Sequence, residues 1–397
     1  MPFARRLQDL GAWLSETRPF WHPQPLKVLP APWEPALPAV SSWARALDSE
    51  TLERIEFAPW RHERCPELLL DWHRAGAELA ALPELAAQTL PWGPEDARWV
   101  QARKWGQLTR FAGTVVPLLA PVPEVVDWCS GKGHLARALA RWSGLPVQGI
   151  ERQARLCSEG NRLARQRGLP VTLHVGDVLD AETALPQVRG GALVALHACG
   201  PLTDAALDHA HASGAQLAAV SPCCLQALGS GAYRPRSRAG RAASPGLVQS
   251  DLYLAMGEER VAPPLLRRRR RTELAWRSGL DLLLRERCDR TGWTRLKSQP
   301  GRTWDGSFEA FCRSQDGFED IVLPENVDYA TYEARGWDRS LTARALGIPR
   351  GLFRRPIEVW VALDRAQSLA ERGWEVTVGA FCPPDITPRN VLLIARR

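Results

Sequence analysis

The chain has 397 residues, 45% hydrophobic and 24% charged, an ordinary balance for a soluble globular protein, and its length suits one large core with additions. No apolar run approaches the ~20 residues needed to span a bilayer. The basic N-terminal residues lack the apolar segment of a secretory signal behind them, so neither a membrane-spanning nor a secreted protein is expected. Nine cysteines, an odd number scattered along the chain, predict reduced thiols and a cytoplasmic location. The net charge is +7, and it is uneven. Residues 225–300 hold 16 Arg/Lys against 7 Asp/Glu, which leaves the rest near −2.

In chain order, residues 1–98 are rich in Trp and Pro, with helical pieces at Ser49–Ile55 and 67–81. They predict an N-terminal helical region whose tryptophans pack in a core. A helix over 99–120 then leads into alternating strands and helices, the mark of a parallel sheet covered on both faces. Strands are predicted at 124–128, 147–150, 171–175, 192–197 and 216–220. The intervening helices are predicted at 133–142, up to about 166, and at 204–212, the last capped by Thr203. Regularity breaks at 225–355, which predicts an inserted, basic, mainly helical segment. It starts with a Gly/Ser/Arg-rich mobile loop at 229–246 and contains a helix over 265–290. A helix at 357–371 and strands at 375–381 and 391–395 follow. Two strands so close in sequence suit an antiparallel hairpin, since a parallel crossover needs a dozen or more residues. The core is thus expected in two parts, 99–224 and 356–397. The predicted fold is α/β, a seven-stranded Rossmann-like sheet ending in an antiparallel hairpin.

The turn Asp127-Trp-Cys-Ser-Gly131-Lys-Gly133 lies between a predicted strand and helix, where glycine permits a tight bend and a close approach to a ligand. Asp127 suits the ammonium of the methionine part of S-adenosylmethionine (SAM), Glu151 its ribose hydroxyls, and Asp177 its adenine amino group. All three fall at carboxyl ends of strands, the edge where open parallel sheets bind ligands. Cys129, Ser130, Val178 and His197 complete the expected SAM contacts. The same glycines also match the dinucleotide fingerprint of NAD enzymes. Asp127 has no role near a pyrophosphate, and together with the hairpin it favours methyl transfer over hydride transfer.

The fourth strand runs into His197-Ala-Cys199-Gly and the fifth into Ser-Pro-Cys223-Cys224. His197 and Cys199, two apart on a strand, are expected to face the same way. Four roles stay open for these residues. His197 suits a general base, and Cys223 or Cys224, with Cys199, suits the nucleophile and helper of pyrimidine carbon-5 methylation. All four residues also suit a zinc site, although no metal is assigned, or simple packing against the cofactor. Arg267, Arg268, Arg269, Arg270 and Arg271 open a helix where positive charge opposes the macrodipole. RNA phosphate is their expected partner.

The motifs at 127–135, Leu-His-Ala-Cys-Gly at 196–200, Pro-Cys-Cys at 222–224 and Thr-Pro-Arg-Asn at 387–390 resemble one methyltransferase-domain family. That family includes methyltransferase-like protein 25 and the acceptor-stem tRNA 2′-O-methyltransferases. The resemblance runs from about residue 103 onward. It implies SAM as cofactor, held at Asp127, Gly131, Gly133, Glu151 and Asp177, and RNA, perhaps tRNA, as substrate. Leu225 and Gln226 stand where eukaryotic relatives often carry Tyr-His or His-His.

Overall fold

The computed structural model describes residues 3–98, 100–229, 231–257 and 262–397. Seven strands form one sheet: β1 Val125–Trp128, β2 Val147–Glu151, β3 Val171–Val175, β4 Ala192–Cys199, β5 Leu217–Cys223, β6 Glu375–Ala380 and β7 Val391–Arg396. Their spatial order is β3-β2-β1-β4-β5-β7-β6. β1 to β5 pair in parallel, and β7 runs antiparallel to both β5 and β6. The α/β class and the closing hairpin are therefore as the sequence predicts.

Alternation along each strand feeds two cores. Val125, Val147, Val194, Leu217 and Leu392 face one side with Phe111, Leu135 and Leu139. Val126, Ile150, Leu193, Ala218 and Ala395 face the other with Leu207, Leu369 and Trp374. Because both faces are covered, the strands read as nearly continuous apolar runs. The covering helices are α1 Ala102–Val115, α2 His134–Ser143, α3 Ala154–Gln166, α4 Pro201–Ala212 and α5 Arg354–Ala370. α4 starts earlier than predicted, at Pro201, because proline fits the first helical position without losing a hydrogen bond. Thr203 lies inside that helix, and its hydroxyl donates back to the Ala198 carbonyl at 2.6 Å.

The chain divides into two compact units. Unit 1 comprises 1–15, 77–257 and 354–397, and unit 2 comprises 16–76 and 258–353. Two expectations change with this division. Residues 225–257, assigned to the insertion, belong with the sheet, whereas 16–76 join 258–353 instead of forming an N-terminal region with their neighbours.

The physical reason for the first change is a buried carboxylate. Asp364 on α5 is fully buried. It accepts hydrogen bonds from Tyr233 Oη (2.8 Å), Arg236 N (2.8 Å), Ser237 N (3.0 Å) and Ser237 Oγ (2.7 Å). Glu371 accepts from the backbone N–H groups of Arg238 and Ala239. The Gly/Ser/Arg-rich stretch is thus anchored, with a short helix at Arg238–Ala242, and is not the free loop its composition suggests.

In unit 2, aromatic rings make the core. Trp276, Trp304, Phe308 and Phe311 cluster with Leu280, Leu283 and Tyr332, while Trp21 and Trp72 pack on Phe353. The helices Pro264–Arg287 and Tyr329–Leu346 touch backbone to backbone. Glycine allows this: a Cβ on Gly336 would lie 2.4 Å from the Ala275 carbonyl oxygen.

Candidate active site

The carboxyl edge of the sheet, followed from β3 to β5, carries Asp177, Glu151, Asp127, His197 with Cys199, and Cys223 with Cys224, in that order. The strand order brings together residues that lie up to about a hundred positions apart in sequence.

Asp127 is buried under the β1–α2 turn, where its Oδ2 accepts from Ala136 N at 3.1 Å and so caps the first turn of α2. Burial pushes its pKa up to about 7, against the pull of the Ala136 bond and of the Lys104 and Arg137 charges. The turn has left-handed backbone at Cys129 (φ 58°), Gly131 (φ 57°) and Gly133 (φ 66°). Cys129 adopts a conformation that glycine takes without strain. Burial, with Asp127 and Glu151 nearby, pushes its thiol up to about 12, so it stays neutral. Ser130 is spent on structure, since its N and Oγ both donate to the Ile150 carbonyl, at 2.9 and 3.2 Å.

Glu151 ties the turn to β2. Its Oε2 accepts from Gly131 N (3.1 Å) and its Oε1 from Gln153 N (2.8 Å). Asp177 is more open; its Oδ1 accepts from Leu179 N at 3.0 Å, and Arg152 stands 3.8 Å from its Oδ2. Val178 packs against the core on the same side as Cys129. A Cβ added to Gly131 would meet nothing within 4 Å. The turn therefore offers open space ringed by acids, which fits a ligand with an ammonium group and a ribose.

His197 differs from expectation in one respect. The β4–β5 register slips between Leu196 and Ala198, so His197 is a bulge residue, with φ 63°. The bulge breaks the two-residue alternation, and His197 and Cys199 no longer share a face simply by spacing. The His197 Nε2 lies 2.7 Å from Gln107 Oε1 on α1. A carbonyl oxygen only accepts, so this contact places the proton on Nε2 and leaves the Nδ1 lone pair free. Burial, then the charges of Arg389, Lys104 and Arg103, pulls the imidazole pKa down to about 4, so it is neutral near pH 7.

The bulge sets Cys199 opposite Cys223, with Sγ atoms 3.1 Å apart. Cys224 follows with φ 50°. Hydrogen bonds with Cys199 and Cys224 hold the Cys223 thiol far above its usual range. Cys224, the recipient of those thiol protons, is held below it.

Sequence reasoning missed Gln107, which is buried on α1 ninety residues from its partner. It also gave no role to Arg389 of the 387–390 motif, whose guanidinium donates to the Met256 carbonyl. The 267–271 run lies in unit 2 and is mostly engaged. Arg268 and Arg269 pair with Asp305, Arg270 with Glu273 (2.9 Å) and Arg271 with Glu53. Arg267 makes no ion pair among the described residues. No described helix is long and apolar enough to cross a membrane.

Residues 103–230 match the family model of a methyltransferase domain. A glutathione S-transferase C-terminal domain-containing protein of Xenopus laevis is 30% identical over 164 residues, 40% of this chain and 24% of that protein. A homologue of that protein in Drosophila melanogaster is 30% identical over 129 residues, 32% of this chain and 21% of that protein. The chain spans about a quarter or less of the length of these curated relatives. Among solved structures, the tRNA (uracil-54, C5)-methyltransferase of Pyrococcus abyssi in complex with S-adenosyl-L-homocysteine superposes with a TM-score of 0.26 at 15% identity. That alignment covers 31% of this chain and 30% of that one. With the family match over residues 103–230 and a seven-stranded sheet in the order β3-β2-β1-β4-β5-β7-β6, unit 1 carries an α/β Rossmann-like methyltransferase fold.

Proposed function

We propose that the protein transfers a methyl group from SAM to RNA, as the motif resemblance to the acceptor-stem tRNA 2′-O-methyltransferases implies. The observation that carries the methyl-transfer reading is the row of Asp177, Glu151, Asp127 and His197 along one sheet edge, within a domain of matching family. Bound there, SAM supplies an electrophilic methyl group. Asp127, Glu151 and Asp177 hold its ammonium, ribose and adenine ends, and the positive-φ turn admits it closely. His197, neutral and fixed through Gln107, offers Nδ1 to the proton of an acceptor hydroxyl or ring nitrogen. Positioning the acceptor in line with the methyl group supplies much of the rate.

Charge supports RNA as the acceptor. Unit 1 holds 26 Arg/Lys against 20 Asp/Glu, while unit 2 is nearly balanced at 25 against 24. The surplus thus belongs to the unit that carries the sheet, and Arg103, Lys104 and Arg389 act on His197 itself. The 267–271 arginines remain a proposed phosphate contact, weakened by their internal partners.

Incubation with methyl-labelled SAM, total RNA and cell protein tests the reading. Label is expected in RNA. Label in protein alone overturns the acceptor, and SAM binding without any labelled product overturns turnover. His197→Ala is expected to lower kcat about a hundredfold or more while leaving SAM affinity within about threefold. An unchanged kcat removes the histidine from the chemistry.

A further inference from the structure

We infer that Cys199, Cys223 and Cys224 form a zinc site with an exchangeable fourth position. The three sulfurs lie within 4.8 Å of one another, and none is in a disulfide. Tetrahedral zinc with Zn–S bonds of ~2.3 Å needs sulfurs ~3.8 Å apart. The Cys199–Cys223 pair lies at 3.1 Å, a little inside that value, and no two of the three sulfurs are more than 4.8 Å apart. Shifts of well under an ångström per side chain would complete the geometry.

Two backbone irregularities produce this convergence. Without the bulge at His197, continuous register from Leu196 opposite Ser221 would set Cys199 against Cys224, and Cys223 against Ala198. The extra residue instead sets Cys199 against Cys223. Cys224 then takes φ 50°, in the left-handed region that side chains other than glycine adopt at a cost. Its sulfur returns to the other two instead of pointing away along the chain. Packing of small apolar side chains requires neither feature. Soft thiolates select zinc or copper(I) over hard cations, and three protein ligands leave zinc one open position. The His197 imidazole does not belong to the sulfur group and is committed to Gln107 through Nε2. Cys199 and Cys224 are only half-buried, which gives the ion a route in.

Binding forms three Zn–S bonds as three S–H bonds give up their protons to solvent, leaving one net negative charge on the complex. No electrons are transferred. The site stands on these sulfur positions alone and does not depend on the identity of the methyl acceptor.

The test uses the full chain, purified under reducing, chelator-free conditions, with zinc measured by mass spectrometry and cobalt(II) titrated in its place. The expected result is about one zinc per chain, and thiolate-to-cobalt charge-transfer absorption with the band pattern of a tetrahedral ion. Cys199→Ser and Cys224→Ser are expected to weaken zinc binding at least about tenfold with the circular dichroism spectrum unchanged. Cys65→Ser, in unit 2, is expected to bind as wild type. Reduced wild-type protein that takes up no stoichiometric zinc and gives no cobalt–thiolate band overturns the site. So does a folded Cys199→Ser/Cys224→Ser double variant that keeps its zinc. The wild-type cobalt spectrum decides the matter even if a serine variant fails to fold.

Discussion

Asp127→Asn is expected to weaken SAM binding about 10- to 100-fold and, at the same time, to raise the stability of the fold at and above neutral pH. Both effects come from one buried carboxyl. An asparagine keeps the shape, and its carbonyl can still accept from Ala136 N, now at 3.1 Å from Asp127 Oδ2. What it loses is the charge that would meet the ammonium of SAM, and hydrogen bonds to charged groups contribute about 1.5–3 kcal/mol. The stability gain follows from linkage. Asp127 has its pKa raised from 3.8 to about 7 by burial. Between those values the folded chain holds a proton that the unfolded chain has released, so wild-type stability falls as pH rises through this window. The variant has no such group, and its advantage should be absent near pH 3.8 and fully developed above pH 7. Urea melts at pH 5 and pH 8 measure it.

The same carboxyl should couple SAM binding to proton release. Below pH 7 the free protein carries the Asp127 proton, and the ammonium would displace it. Calorimetry at pH 6 in two buffers of different ionisation enthalpy should show up to about one proton released by wild type and none by the variant. Equal SAM affinity of the two proteins at pH 8 would refute the assignment of Asp127 to the ammonium.

The largest stability effect is expected at Asp364. Replacement by alanine would strand two hydroxyls and two backbone N–H groups, those of Tyr233, Arg236 and Ser237, around a position where Asp364 and Ser237 are fully buried. Breaking a buried, charged network of this kind costs about 3–5 kcal/mol. Part of that loss should appear as release of the 231–243 stretch, seen as fast amide exchange there at a denaturant concentration that leaves the sheet protected. A loss below about 1 kcal/mol would mean that the stretch is held by other contacts.

Much of the sheet was legible because its strands are short apolar runs punctuated by glycine, and because a fully buried strand shows no alternation to misread. Val171–Val175 was placed to the residue, and Asp127, Glu151 and Asp177 could be assigned to one edge from their positions at strand ends. The His197 bulge left no such trace. With both faces of β4 covered, a slip of one residue changes no visible pattern. Gln107 was hidden for another reason: a polar residue on an apolar helix face has no meaning until its partner, ninety positions away, is in place. The 231–243 stretch shows the same limit. Its own composition reads as loop, and the residue that orders it sits 131 positions from Tyr233. The arginine run, read as free charge, is balanced by Asp305 and Glu53 from segments that only folding brings near.

The place of β7 between β5 and β6 bears on how the chain reaches its native state. β5 is buried along its whole length, and it pairs with β7 through Leu217 opposite Arg396, residues 179 positions apart with all of 258–353 between them in sequence. Pairings of such separation form late, because the chain must lose loop entropy before the contact rewards it. Until β7 inserts, β5 presents an open edge, apolar from Leu217 to Val220, of the kind that recruits other chains. Refolding from denaturant should therefore be a race between strand insertion and aggregation, in which dilution, and not temperature alone, decides the yield.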